Sequence, residues 1–69
     1  MDYCYEVVRT SLEVEDGETN AVQYRVGTLS SYTEAVMVFA YVDMQPGDVI
    51  ILYSVLSKGK RREIMRRCI

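Results

Sequence analysis

Four places where an extended chain has to turn or coil constrain the fold of this sequence more than any other feature: Asp16-Gly17, Ser31 to Glu34, Pro46-Gly47 and Gly59. Residues Tyr3 to Val14 are rich in tyrosine, valine and threonine, whose bulk near the backbone suits a pleated strand. Glu15-Asp16-Gly17-Glu18-Thr19-Asn20 follows, and an Asp-Gly pair between extended runs predicts a hairpin because glycine accepts positive φ at little cost. Ala21 to Leu29 alternates, with Val22, Tyr24 and Val26 on one side and Gln23 and Arg25 on the other, as in a strand with one wet face. Ser31-Tyr32-Thr33-Glu34 has the form of a capping box, in which the serine hydroxyl accepts from the Glu34 amide and the Glu34 side chain reaches back to the serine amide. A helix is therefore expected from Ser31 to about Asp43 or Met44, ahead of Gln45-Pro46-Gly47-Asp48. Valines 36, 38 and 42 would also suit a strand, but a capped segment of about a dozen residues exceeds the usual strand length. Val49 to Leu56 is apolar at nearly every position and reads as an inner strand. Ser57-Lys58-Gly59-Lys60 is a turn, and the charged run from Arg61 to Ile69 suits an exposed edge.

The element order is thus ββαββ, an α+β fold expected to form one compact domain over residues 1–69. The helix joins two strands that point the same way, and right-handed crossovers are strongly preferred. With the first strand filling the gap between them, the sheet order is 2-1-3-4 and every neighbouring pair is antiparallel. One helix covers one face of such a sheet, so the other face must be polar, partly open, or buried against another molecule. A domain of 69 residues buries only about 60% of the surface its unfolded chain exposes, which keeps its stability modest.

Several function classes find no support. The longest apolar runs, Ala35 to Val42 and Val49 to Tyr53, fall far short of the roughly 20 residues that cross a bilayer, so no membrane association is expected. Met1-Asp2-Tyr3 lacks the features of a secretory signal, and a cytoplasmic chain is expected. Cys4 and Cys68 sit at opposite ends of the chain; terminal strands could bring them together, but a reducing compartment favours two unbridged thiols. Histidine, the commonest general base and metal ligand, is absent, and glycines 17, 27, 47 and 59 are isolated rather than gathered in a phosphate loop. The acids at 13, 15, 16 and 18 lie in an exposed hairpin without the spacing of a calcium loop. No catalytic residue, metal or cofactor is expected.

Charge is sorted along the chain. Residues 1–57 hold nine acids against Arg9 and Arg25, a formal −7, whereas residues 58–69 carry +5 through Lys58, Lys60, Arg61, Arg62, Arg66 and Arg67 against Glu63. Those six cations are the candidates for a nucleic-acid site, with Tyr3, Tyr5, Tyr24 and Tyr53 as possible stacking platforms. The overall charge of −2 opposes that reading. Edge-strand arginines that pair with acids of a neighbouring strand would account for the same residues.

The helix carries a further signal. Ala35, Val38, Phe39 and Val42 follow the spacing of a core-facing stripe, yet Met37, Ala40, Tyr41 and Met44 fall on or near the opposite side, where solvent would favour lysine and glutamate. Methionine and tyrosine adapt to and dominate protein interfaces. Either the helix tilts deep into a small core or its second side docks on another molecule.

Chain length, acidic balance, the absence of catalytic residues and a single helix against a small antiparallel sheet together resemble the compact inhibitors encoded by phages and mobile elements, including some anti-CRISPR proteins. The resemblance implies a protein that occupies a contact surface of a large protein or nucleoprotein effector complex, with Glu13, Glu15, Asp16 and Glu18 standing in for phosphates. The first expectation is accordingly a non-enzymatic protein-binding module, in which Met37, Tyr41 and Met44 supply contact area and Glu15, Asp16 and Glu18, or the basic tail, set orientation. The alternatives are a nucleic-acid binder that uses the basic hairpin, and a homodimer subunit whose exposed face is covered by its twin.

Overall fold

A computed structural model describes residues 4–56 and 59–68. Along the chain come β1 (Tyr5–Glu15), β2 (Glu18–Leu29), α1 (Tyr32–Tyr41), β3 (Val49–Val55) and β4 (Arg61–Cys68). The strands form one sheet in the order β2-β1-β3-β4, antiparallel throughout, so the α+β fold and its 2-1-3-4 topology follow the turn and cap signals.

The first turn is tighter than the composition of its flanks suggests. Asp16 at φ 52° and Gly17 at φ 81° form a two-residue connection of the type that twists with its strands, so β1 and β2 stay paired up to Glu15 opposite Glu18. At the helix start Ser31 Oγ accepts from the Glu34 amide at 3.5 Å; the reciprocal bond of a capping box is absent among the described residues. α1 ends at Tyr41, earlier than the expected Asp43 or Met44, and Val42 turns extended at ψ 130° while its amide still reaches the Val38 carbonyl at 3.1 Å. The cause lies on another element, described below. In the next turn the Asp48 amide donates to the Gln45 carbonyl at 2.9 Å, and the buried Asp48 carboxylate accepts from the Gln45 amide at 3.0 Å. Gly47 supplies the positive φ of 95° that Pro46 cannot adopt.

The core lies between α1 and one face of the sheet. Val7 of β1, Ile50 and Leu52 of β3, and Ala35 and Phe39 of α1 are its buried members, with Tyr5, Leu29, Val38, Val42, Met44 and Met65 packed around them. Each fully buried aliphatic side chain there contributes about 1.5–3 kcal/mol relative to exposure. The same alternation sends Glu6, Val8, Thr10, Leu12 and Val14 of β1 to the helix-free face. Val8 and Ile51 are nevertheless buried there: they pair with each other on the two inner strands, with Arg25 and Arg66 as their register partners on the outer ones.

Two details depart from the simple alternation. Val7 pairs with Gly27 and Val8 with Arg25, so Val26 is an extra, bulged residue of β2 and does not continue the side that Val22 and Tyr24 share. A second bulge puts Ile64 out of register in β4, between Met65 opposite Leu52 and Glu63 opposite Tyr53. Register also separates the cysteines. The Cys4 carbonyl bonds the Val55 amide while Cys68 pairs with Val49, six residues away along β3 or about 20 Å at the usual strand rise. That span is too long for a disulfide within one copy.

Candidate protein-docking surface

α1 turns Ala35 and Phe39 into the core and leaves Met37 56% and Tyr41 81% exposed on its other side, with Ala40 exposed between them. The sole charged residue of the helix is Glu34, in its first turn. A helix whose outer side carries methionine, alanine and tyrosine instead of lysine and glutamate gains nothing from water there. Tyr32, half exposed, completes the stretch and packs edge-on against Tyr5 with ring centroids 5.6 Å apart. Met44 departs from the expected stripe. It lies past the end of α1, is half-buried against the core, and its sulfur accepts from Arg67 Nε at 3.0 Å.

The acidic residues occupy the far end of the β1–β2 hairpin, where Glu13, Glu15, Asp16 and Glu18 are all exposed. Alternation directs Glu13 and Glu15 to the side of the sheet that carries α1, and the register sets Glu18 opposite Glu15. Helix and acids can therefore meet one partner from the same side. Glu13 is not free: the Tyr24 hydroxyl donates to its carboxylate, and this bond holds the Tyr24 phenol above its ordinary value.

The basic strand is built differently from a single cationic surface. Pairing with β3 sends Arg61 and Arg66 to the helix-free face and Arg62 and Arg67 to the face that carries α1. Arg67 belongs to the fold. Its guanidinium donates to the Phe39 carbonyl and, at 2.7 Å, to the Val42 carbonyl, and it lies 6.0 Å from the Phe39 ring centroid. A cation from β4 thus satisfies the orphan carbonyls at the end of α1, whose own last turn has no basic residue, and stops the helix there. Arg61 donates to Glu6 at 2.6 Å and stacks 4.1 Å from the Tyr53 ring centroid; Arg25 reaches the same buried Glu6 at 3.5 Å. Arg66 binds Glu63 at 2.7 Å and holds that carboxyl below its usual range through the hydrogen bond. Lys60 and Arg62 are exposed and have no ion-pair partner among the described residues; Lys58 lies outside those residues.

The tyrosines do not form one platform. Tyr53 faces the helix-free side under Arg61, whereas Tyr5 and Tyr24 face the side of α1, and Tyr3 lies outside the described residues. A polar cleft that sequence reasoning misses opens between the hairpin and the 45–48 turn. Arg9, Ser11, Glu13, Tyr24, Gln45 and Asp48 line its roughly 280 Å³. Arg9 stacks on Tyr24 at 5.1 Å and its Nε is buried without a hydrogen-bond partner, but two carboxylates against one guanidinium leave the cleft unsuited to an anion. Among the described residues no helix is long and apolar enough to cross a membrane. No protein-family model, curated protein or solved structure matches the chain.

Proposed function

We propose that this chain is a non-enzymatic protein-binding module, most simply an inhibitor that occludes a contact surface of a larger effector complex. The observation that carries the reading is the outer side of α1, where Met37 and Tyr41 are exposed although the helix has already given Ala35 and Phe39 to the core. Tyrosine offers a large, rigid contact area at low cost in lost freedom, and methionine an adaptable one. The acidic hairpin end would act mainly on orientation and association rate, since exposed charges steer encounter more than they tighten a complex. Nucleic acid is the weaker reading, because Arg61, Arg66 and Arg67 already have partners within the fold and because Lys60 and Arg62, which have no ion-pair partner among the described residues, would release few counterions.

Affinity capture from lysate with the wild-type chain and with Tyr41→Glu and Met37→Glu tests the proposal. Both positions are exposed, so circular dichroism should show the fold retained. A protein that the wild type retains and both variants lose is the expected result. Equal retention by all three chains, or unfolding of Tyr41→Glu, would remove α1 as the docking surface.

A further inference from the structure

β3 pairs with β1 only as far as Thr10 opposite Val49, and beyond that point the turn of residues 45–48 takes its place beside the hairpin. The turn comes close enough that a Cβ at Gly47 would stand 3.7 Å from Leu12 Cδ1. The polar cleft between turn and hairpin holds two carboxylates that the fold leaves half satisfied. Asp48 is 6% exposed; its Oδ2 accepts from the Gln45 amide at 3.0 Å, and its Oδ1 has no partner among the described residues. Glu13 likewise accepts from the Tyr24 hydroxyl through Oε2, and its Oε1 has no partner among the described residues. Arg9 does not fill the gap, because it stacks on the Tyr24 ring and makes no ion pair with either acid among the described residues. A carboxylate as buried as Asp48 is costly to keep charged unless a cation or further donors meet its open oxygen.

The surroundings carry the same sign. Glu13, Glu15 and Glu18 face the side of the sheet that bears α1, and β1 and β2 place no exposed cation there. Arg67, on that side, is engaged by the carbonyls at the end of α1, while Lys60 and Arg62 lie at the opposite end of the sheet, where Arg62 pairs with Ser54 and Ser54 with Tyr5. Arg9 offsets one of the two carboxylates, so an entering cation would leave the cleft neutral. Only Val42 to Met44 separate exposed Tyr41 from the turn, so one partner surface can reach both. We infer that the cleft receives an arginine or lysine side chain of the protein that docks on α1; the inference rests on the docking role proposed above and names the chemistry of that partner. The charged head lies between Glu13 Oε1 and Asp48 Oδ1, with Ser11 and Gln45 as neutral acceptors, and the aliphatic stem runs along Leu12 and Pro46.

Amide NMR titration with N-acetyl-arginine amide and N-acetyl-lysine amide, against N-acetyl-glutamate amide, tests the cleft without the partner. A cationic probe should give saturable shifts at Ser11, Gln45 and Asp48, and the glutamate probe none. Asp48→Asn keeps an oxygen for the Gln45 amide but removes the charge, and should weaken binding about tenfold, as loss of a charge-assisted hydrogen bond does. Glu13→Gln should weaken it about threefold and serves in its place if Asp48→Asn disturbs the turn. Glu18→Gln, at the far end of the hairpin, should change it less than about twofold at physiological salt. Absence of saturable shifts, equal shifts with the glutamate probe, or a Glu18→Gln effect as large as those of the two cleft variants would overturn the inference. In lysate capture Asp48→Asn should lose the protein that the wild type retains. A protein kept by Asp48→Asn but lost by Tyr41→Glu would overturn the inference and leave the α1 surface standing, whereas a cleft that binds the cationic probe in a chain whose capture Tyr41→Glu leaves unchanged would support the cation site and refute docking on α1.

Discussion

Arg67→Met is the substitution that most directly separates a role in the fold from a role in binding. Methionine keeps most of the side-chain length but removes the guanidinium that joins β4 to the Phe39 and Val42 carbonyls and to the Met44 sulfur. Hydrogen bonds from a charged donor contribute about 1.5–3 kcal/mol each, and a cation at a helix carboxy terminus adds about 0.3–1 kcal/mol. The site is only partly buried, so water can rehydrate the freed carbonyls and return some of this; a net loss of about 2–4 kcal/mol is expected. A domain of 69 residues has roughly 3–10 kcal/mol in all at 0.05–0.15 kcal/mol per residue. The substitution therefore removes a large share of it, a fall in Tm of about 10–30 °C at 4–8 °C per kcal/mol. Urea and thermal unfolding followed by circular dichroism measure the loss, and amide exchange should show the last turn of α1 opening first. Arg62→Met, at an exposed position on the same strand, is the control and should stay within about 0.5 kcal/mol of wild type. If the two variants are equally stable, the helix end is not held by Arg67 and the structural account of its early termination fails.

Two further outcomes follow from the side-chain contacts. Tyr24 has a phenol pKa raised in the fold by its bond to Glu13, so the corresponding stability is fully present below its unfolded value near 10.0 and is lost as pH rises through the higher folded value. Absorbance titration of tyrosinate should show one late-ionising residue in the wild type that disappears in Tyr24→Phe; a titration curve identical in the two chains apart from amplitude contradicts the bond. Glu6→Ala should cost about 1–2 kcal/mol, less than the 3–5 kcal/mol of a fully buried pair, because the side chains of Arg25 and Arg61 remain 62% and 36% exposed and can rehydrate. A double-mutant cycle with Arg61→Ala should return a coupling near 1 kcal/mol, and a value indistinguishable from zero would mean that the pair holds nothing.

What the sequence reveals of this molecule is what neighbouring residues decide among themselves. Asp16-Gly17, Ser31 and Pro46-Gly47 act through their own backbone preferences, and they place the ends of strands and helix within a few residues. The topology then follows from chirality and from one helix having one sheet to cover. The bulges at Val26 and Ile64 leave no such local trace, since each is a mismatch between two strands and not a property of either. The basic strand shows the same limit more forcefully. Its residues look alike in sequence, yet alternation sends Arg61 and Arg66 to one face and Arg62 and Arg67 to the other, and their partners lie 55 residues away at Glu6, three away at Glu63, and 25 and 28 away at Val42 and Phe39. Charge composition alone cannot distinguish a strand built to meet a polyanion from one whose cations close the fold. On the outer side of α1 the inference runs in the opposite direction: Met37 and Tyr41 stand out because the core stripe of Ala35, Val38, Phe39 and Val42 is complete without them, and an apolar residue that the core does not need is the kind of departure a local pattern can register. Met44 falls outside that logic because its place depends on where the helix stops, and the helix stops where Arg67 takes hold of its carbonyls.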